Sequence, residues 1–186
     1  MRLYIKNMVC QHCIEAVLKV FREMGIEVAS IRLGEVEISA DEGRLDKDQL
    51  KALLERNGFE LLENKEVRIV EQIKTTVINM IHHGDKMPEV KNSVYLSEKL
   101  GLTYPYLSKL FSRHVGLTIE KYIILQKIER VKELLSYDEQ QLSEIAFDLG
   151  YSSVQHLSNQ FKSVTGMSVT AFKKLEHKAR IPLNRL

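Results

Sequence analysis

Hydrophobic residues in the first third of the chain follow two different periods, which predict alternating strands and helices. Leu3 and Ile5 alternate with polar neighbours, so residues 2–6 are predicted to form a half-buried strand. Residues 11–24 show the three- and four-residue spacing of an amphipathic helix. Further predicted elements are strands over 26–32 and 35–40, a helix over 46–56 and a strand over 59–62. This β-α-β-β-α-β order predicts an α+β, ferredoxin-like domain over residues 1–64.

Residues 65–92 are predicted to form a linker helix followed by a loop. Along residues 65–83, Val70, Ile73, Val77 and Met80 follow 3-4-3 spacing. This stripe packs onto the core of the following domain, or it forms a dimerising seam of fewer than two heptads.

Residues 93–186 contain an internal repeat with an offset of fifty. The run Leu107–Phe111 aligns with Leu157–Phe161, and the glycines after each run align as well. A pattern that occurs twice predicts the same unit twice, here an all-α domain with two helix-turn-helix motifs. A helix predicted over 119–136 joins them and spans about 27 Å. That length is somewhat less than the ~34 Å between successive major-groove faces.

The charge distribution supports a division into two modules. The chain has 186 residues, of which 44% are hydrophobic and 28% charged, with a net charge of +2. Residues 1–64 carry 9 Lys/Arg against 12 Asp/Glu, whereas residues 65–186 carry 18 against 13. The basic excess indicates that the second module faces a polyanion such as double-stranded DNA.

Several classes of protein are disfavoured by what the sequence lacks. It contains no run of eighteen apolar residues, so no membrane contact is expected. The N-terminal residues lack the pattern of a secretory signal, and two cysteines are too few for a disulfide framework. We therefore expect a cytoplasmic protein. No catalytic triad order, phosphate loop or carboxylate pair stands out, so we do not expect an enzyme.

Both cysteines belong to one CxxC motif, where the first predicted strand turns into the first predicted helix. At this spacing Cys10 and Cys13 can point at one centre, and thiolates prefer soft metals such as Cu(I) or Zn(II). The helix N-terminus is expected to lower both thiol pKa values. His12 is either a third ligand or an exposed loop residue. A thiol redox sensor and an inert remnant are alternative interpretations of the motif.

The segment around these cysteines resembles the GMTCxxC loop of the heavy-metal-associated domain found in copper chaperones and metal-pumping ATPases. Asn7 and Val9 stand where that family usually has Gly and Thr. The resemblance implies that Cys10 and Cys13 are metal ligands and that Met8 is a buried support of the loop.

Residues 142–174, LSEIAFDLGYSSVQHLSNQFKSVTGMSVTAFKK, resemble the signature of the AraC/XylS-type DNA-binding domain. The resemblance extends over roughly residues 66–175. His156-Leu157 replaces the family's usual aromatic pair, and Val169 replaces its usual Pro near the last helix. The resemblance implies binding to double-stranded DNA, contact with RNA polymerase if the protein is an activator, and a possible homodimer.

On the second helix of each motif, the face opposite the core is predicted to enter a major groove. This face comprises Tyr104, Pro105, Ser108, Lys109, Ser112 and Arg113 in the first copy, and Val154, Gln155, His156, Asn159 and Lys162 in the second. The resemblance implies base contacts at Pro105, Ser108, Lys109, Val154, Gln155, His156 and Asn159.

Side-chain chemistry suggests roles for some of these residues. Lys109 suits guanine, whereas Gln155 and Asn159 suit adenine. Gln155 is alternatively tied into a capping box with Ser152, and His156 alternatively packs on the preceding helix. Lys162 and Arg113 are predicted to hold phosphates, and DNA shape is expected to supplement base readout. The basic tail, residues 177–186, is expected to be mobile.

Together these features predict a transcription regulator that binds specific DNA sequences and responds to a soft metal at Cys10 and Cys13. One alternative is a metal-trafficking or thiol redox protein. Another is a regulator whose N-terminal domain serves only for dimerisation.

Overall fold

The computed structural model describes residues 1–39, 45–84, 87–175 and 179–185. They form two compact units, Met1–Thr75 and Thr76–Leu186. The last residue of the predicted strand 35–40, and residues 177, 178 and 186 of the predicted tail, lie outside the described residues. Within the described part of the chain, no helix is long and apolar enough to cross a membrane.

The first unit contains the predicted order of strands and helices. Its elements are β1 (Arg2–Lys6), α1 (Gln11–Glu23), β2 (Val28–Arg32), β3 (Glu35–Ile38), α2 (Lys47–Arg56) and β4 (Glu60–Leu61). The described strands form a four-stranded sheet in the order β2-β3-β1-β4. All of its pairings are antiparallel. The strand β4 is shorter than predicted, because Glu60 and Leu61 are the residues that pair with β1.

The alternation of side chains along β1 places the core of this unit on one face of the sheet. Leu3 and Ile5 are buried in one cluster with Phe21 of α1 and Leu50 of α2. Each such side chain contributes about 1.5–3 kcal/mol when fully buried. Tyr4, between the two buried residues, points to the opposite face of the sheet.

The helix α3 (Lys65–Ile78) contains the boundary between the two units, which falls between Thr75 and Thr76. Its residues up to Thr75 belong to the first unit, although the helix was predicted to pack on the second domain. The reason is a face of α3 that contacts the sheet. Arg68 donates to the Leu62 carbonyl at 2.9 Å, and its guanidinium carbon lies 5.3 Å from the centroid of the Tyr4 ring. The division into domains 1–64, 65–92 and 93–186 stays a prediction.

The second unit contains the two predicted helix-turn-helix motifs. Its helices are α4 (Asn92–Leu100), α5 (Tyr104–Val115), α6 (Ile119–Tyr137), α7 (Leu142–Asp148), α8 (Val154–Thr165) and α9 (Val169–Lys173). The pairs α4–α5 and α7–α8 are the motifs, and α6 joins them. Gly101 and Gly150, which align in the repeat, have φ angles of 65° and 67°. This left-handed conformation favours glycine and turns the chain between the two helices of each motif.

Equivalent residues of the repeat build the core of the second unit. Leu107, Phe111, Leu157 and Phe161 are fully buried. The Phe111 ring lies 5.4 Å from the ring of Tyr122, and the Phe161 ring lies 5.4 Å from that of Phe172. Because Tyr122 and Phe172 also align at the offset of fifty, both motifs use the same aromatic contact.

The helix α6 carries a row of polar side chains that are nevertheless buried. Gln126, Glu129 and Lys132 are 0%, 3% and 7% exposed. Gln126 donates to the carbonyl of Leu183 at 3.3 Å, Glu129 accepts the Ile181 N–H at 3.0 Å, and Lys132 donates to the carbonyl of residue 179 at 3.4 Å. The tail was expected to be mobile, but residues 179–183 instead lie along α6, where they supply the partners that buried polar groups need.

A buried histidine follows α3 in a π-helical turn, Asn79–His83. The Nε2 atom of His82 lies 2.9 Å from the Oε1 atom of Gln126, whose amide nitrogen donates to the Tyr122 hydroxyl. His82 Nε2 is therefore the donor. Its Nδ1 atom has no hydrogen-bond partner among the described residues, and the nearest carboxylate, Glu133, is 3.8 Å away. Burial lowers the pKa of His82 to about 4, so the ring is neutral at pH 7.

We expect the free energy of unfolding to fall as the pH drops from 6.5 to 4. Unfolded His82 binds its proton near its ordinary pKa of 6.5, whereas folded His82 binds it near 4. The unfolded state therefore holds more protons in this window, which costs about 3 kcal/mol in total. Urea titrations should show this loss in the native chain and a smaller one in His82→Gln, whose amide can still donate to Gln126. Equal pH dependence in both would contradict the assignment.

Candidate DNA-binding surface and cysteine loop

The helix α5 turns a partly polar face away from the core. Pro105 and Lys109 are exposed, and Ser112 is half-buried on the same side. Arg113 is exposed at the edge of this face, whereas Ser108 is half-buried beside the core. Pro105 lies in the first turn, where the missing N–H costs no helical hydrogen bond. On α5 the face therefore offers one apolar and two basic exposed side chains.

Tyr104 was predicted to be exposed, but it is half-buried at the start of α5. Its hydroxyl donates to the carboxylate of Glu120 on α6. Burial and this hydrogen bond raise the pKa of Tyr104 above its ordinary value. The hydroxyl is thus already occupied within the protein, and the ring is the part of Tyr104 that remains for an outside contact.

The equivalent face of α8 is more exposed. Val154, Gln155, Asn159 and Lys162 are all exposed, and Gln155 Nε2 donates to Asn159 Oδ1 at 2.7 Å. Among the described residues, the side-chain atoms Gln155 Oε1 and Asn159 Nδ2 make no further hydrogen bond. The pair therefore presents one acceptor and one donor, which is the combination that the major-groove edge of adenine requires.

The residue that caps α8 is Ser153, one position later than predicted. Its hydroxyl accepts the N–H of His156 at 3.1 Å, and Ser152 Oγ instead lies 3.1 Å from His156 Nδ1. Because the cap is shifted, Gln155 does not occupy the capping-box position. The alternative of a capping box with Ser152 is therefore wrong, and the Gln155 side chain pairs with Asn159.

The repeat also identifies Tyr106, which the sequence analysis missed. Tyr106 is 43% exposed on α5 and aligns with His156 at the offset that pairs Leu107 with Leu157. His156 is exposed on α8, and its ring contacts that of Tyr151 edge-on at 5.3 Å between centroids. The same offset that predicts the two motifs could have added Tyr106 to the candidate residues.

The two cysteines lie where the loop after β1 enters α1. Their Sγ atoms are 3.3 Å apart, and both thiols are free and half-buried. The carbonyl of Cys10 accepts the N–H of Cys13 at 3.0 Å, which starts the helix. Met8 is 1% exposed and packs in the core of the unit, and His12 is exposed. The fold thus brings the two sulfur atoms together and leaves His12 facing solvent.

The Cys13 thiol has a raised pKa, against the expectation that the helix N-terminus lowers it. Burial is the main cause, and it outweighs the hydrogen bonds from the backbone. The thiol is therefore protonated at neutral pH, and a metal ion that binds it must displace a proton.

The donor atoms available at this loop fit a soft ion with few ligands. The described residues contain no group of three His, Cys, Asp or Glu side chains that could share an ion. Two sulfur atoms 3.3 Å apart can both lie within a Zn–S bond length of about 2.3 Å from one ion. Because thiolates are soft ligands, the pair suits a soft ion such as Cu(I) or Zn(II).

Asn7 supports this loop in a conformation that usually requires glycine. Its φ angle is 72°, in the left-handed region that Asn tolerates better than most residues. The side-chain amide donates to the carbonyl of Gly58 at 3.0 Å, and the backbone N–H donates to Glu71 Oε1 at 3.1 Å. Burial raises the pKa of the Glu71 carboxyl. These two hydrogen bonds explain how Asn can replace Gly here.

Comparison with known proteins finds matches to the paired motifs. Residues 96–175, which run from the middle of α4 through α9, match the helix-turn-helix domain family. The Msm operon regulatory protein of Streptococcus mutans is 32% identical over 79 residues, which cover 42% of this chain and 28% of that protein. The melibiose operon regulatory protein of Escherichia coli is 29% identical over 85 residues, which cover 46% and 28%. The chain thus spans about 28% of these two relatives.

A solved structure shows the same fold. The C-terminal domain of AraT, a response regulator from Geobacillus stearothermophilus, matches with a TM-score of 0.51 at 21% identity. The match covers 63% of this chain and 91% of that domain. At this level of identity the likeness concerns the fold alone.

Replacement of Asn7 tests how the cysteine loop is supported. Asn7→Ala keeps a strained left-handed backbone and removes the bond to Gly58, so the free energy of unfolding should fall by about 1–2 kcal/mol. Asn7→Gly also loses the bond to Gly58 but relieves the backbone strain, so it should lose less. Urea denaturation compares the two. An alanine variant more stable than the glycine variant would contradict the role of the left-handed conformation.

Proposed function

We propose that this protein is a sequence-specific transcription regulator of the AraC type, because residues 96–175 match the helix-turn-helix domain family and two relatives of this region are operon regulatory proteins. The observation that carries the proposal is the pair of equivalent helices, α5 and α8, each with an exposed face opposite its core. In helix-turn-helix proteins this is the helix that enters the major groove. Double-stranded DNA is thus the proposed partner.

The chemistry of each face suggests how DNA is read. In this proposal Lys109 on α5 donates to guanine, and the Gln155–Asn159 pair on α8 supplies the donor and the acceptor that adenine needs. Lys162 and Arg113 lie at positions suited to phosphates. The 19 residues of α6 span about 28 Å. This span is short of the ~34 Å turn of DNA, so a modest bend in the operator would help both helices to bind.

We expect two substitutions on α8 to affect DNA binding differently. Asn159→Ala should weaken operator binding by about 1–3 kcal/mol and relax specificity at one base pair. Lys162→Ala should weaken specific and non-specific binding alike and reduce the salt slope by about 1. Fluorescence anisotropy over a range of salt concentrations, on an operator selected from genomic DNA, measures both.

Lys51→Ala is the matched control, because Lys51 is exposed on α2 in the other unit. It should leave the operator affinity and the salt slope unchanged. Equal changes of slope in the Lys51 and Lys162 variants would show that α8 does not lie along the phosphates.

For the first unit we propose a ferredoxin-like, heavy-metal-associated type of domain that binds a soft metal such as Cu(I) or Zn(II). Support comes from the β2-β3-β1-β4 sheet, the buried Met8, and the two thiols placed 3.3 Å apart at the start of α1. Cys10 and Cys13 would hold the ion as thiolates, and binding would displace the proton of the Cys13 thiol. The functional proposal is that this event changes DNA binding by the second unit.

Coupling between the units requires the ion to bind the DNA-bound and free states with different affinities. Among the described elements, α3 is the one whose residues belong to both units, so it is the proposed carrier of the change. A homodimer, and RNA polymerase if the protein activates transcription, are further proposed partners.

We expect Cys10→Ser/Cys13→Ser to lose Cu(I) binding and any effect of Cu(I) on operator affinity, because both thiolates are removed. A typical coupling of 1–3 kcal/mol changes the operator Kd by about 5–150-fold in the native chain. His12→Ala is the control, because His12 is exposed, and it should retain Cu(I). Operator affinity that is identical with and without saturating Cu(I) would exclude a metal sensor and leave the dimerisation role.

The short distance between the two sulfur atoms favours a second candidate input, oxidation of the dithiol. Closing 3.3 Å to the disulfide length of about 2.05 Å needs a small movement of the loop. The two inputs are separated by measuring operator affinity after diamide oxidation without metal and, separately, with Cu(I) in the presence of a reductant.

A further inference from the structure

The geometry points to Glu71 as a positioning residue for the cysteine loop, through which metal binding and the docking of α3 on the sheet favour each other. This inference rests on the proposed metal-binding function of Cys10 and Cys13. It adds a residue on α3, the helix that follows β4, to the residues that support the proposed metal site.

The loop between β1 and α1 is anchored at two points before Cys10. Met8 is buried in the core and is 1% exposed. The preceding N–H, of Asn7, donates to Glu71 Oε1 at 3.1 Å. Only Val9 separates these anchors from Cys10, so the position of the first sulfur atom follows from them. Of the two anchors, the hydrogen bond to Glu71 is the one that connects the loop to α3.

Glu71 differs from its neighbours on the same face of α3. Arg68 and Thr75 lie three residues before and four residues after it, on one side of the helix. Arg68 contacts Tyr4 and the end of β4, and the Thr75 hydroxyl lies 3.1 Å from where a Cβ on Gly34 would be. Of these three side chains, Glu71 is the one that contacts the cysteine loop.

The Glu71 carboxyl accepts this hydrogen bond in half-buried surroundings. Burial raises its pKa, whereas the Asn7 N–H and the positive charges of Lys74 and Lys6 lower it. A hydrogen bond that is partly shielded from water stabilises the loop conformation more than an exposed one would. The loop conformation that it stabilises is the one in which Cys10 and Cys13 lie side by side.

Metal binding and the docking of α3 on the sheet are linked, because both favour the same conformation of the cysteine loop. An ion that binds both thiolates selects the loop in which the Asn7 N–H meets Glu71, and this hydrogen bond also holds α3 on the sheet. Binding energies are reciprocal, so α3 docking must strengthen metal binding by the same factor. A metal ion should therefore slow the exchange of α3 amides, and loss of Glu71 should weaken metal binding.

The test uses the full chain, Cu(I) with a competing chromophoric chelator, and amide hydrogen exchange over residues 65–75. Glu71→Ala should raise the Kd for Cu(I) about tenfold, the change equivalent to about 1.4 kcal/mol. Glu71→Gln keeps an acceptor and should stay within about threefold of the native value. Cu(I) should slow exchange in α3 of the native chain and of the Glu71→Gln variant, but not in Glu71→Ala.

Arg68→Ala is the matched control, because it removes a contact of the same face of α3 and leaves the hydrogen bond between Asn7 and Glu71 in place. It should leave the Kd for Cu(I) within about threefold of native, whereas a general structural role of α3 would make it behave like Glu71→Ala. If the native chain binds Cu(I) and Glu71→Ala binds it equally well, the inference about Glu71 is overturned and the metal site stands. If the native chain binds no Cu(I), the proposed metal function falls and takes the inference with it.

Discussion

The structure of the second unit depends on hydrogen bonds and ion pairs that satisfy the buried polar side chains of α6. This helix contributes to the core around both helix-turn-helix motifs, yet Gln126, Glu129 and Lys132 lie on its buried surface. Unpaired, such groups would each cost about 1–3 kcal/mol or more. They are satisfied by the ion pair between Glu129 and Lys132, by His82 from the turn after α3, and by the backbone of residues 179–183. One helix, α6, thus joins α5 and α8 to segments from the beginning and the end of the unit.

The first unit solves a different problem, which is to hold two thiols in a fixed relation at a helix N-terminus. Most of its structure is a sheet with two helices on one face and an apolar core between them. The loop depends on Met8 in the core and on the hydrogen bonds that Asn7 donates to Gly58 and Glu71. Burial at this site makes the Cys13 thiol harder to ionise because it raises the pKa of that thiol. Metal binding at this thiol would consequently release a proton. The conformation of the loop is in turn linked to α3 through the hydrogen bond between Asn7 and Glu71.

The accuracy of sequence-based prediction differed between local and long-range features. The repeat that pairs Leu107 with Leu157 correctly predicted both helix-turn-helix motifs, because each motif is local and its apolar spacing is periodic. Capping was less predictable: adjacent serines compete for one position at α8, and Ser153 rather than Ser152 fills it. Tyr104 was expected to be exposed, yet its hydroxyl binds Glu120, sixteen residues away on another helix. For the candidate DNA-facing residues, the sequence predicted the face and the structure supplied their partners.

The sequence by itself determined the order of elements, the two motifs, the spacing of the cysteines and the charge difference between the two parts of the chain. Each of these depends on residues that are close in sequence or repeated at a constant offset. The tertiary structure decided the partners of Gln126 and Glu129, the path of the tail, the raised pKa of Cys13 and the contact of Glu71 with the cysteine loop. The hydrogen bonds from Gln126 to Leu183, from Ile181 to Glu129 and from Asn7 to Glu71 join residues 52 to 64 positions apart. Such contacts leave no periodic signal in the sequence, and whether a polar group is buried depends on which distant segment covers it.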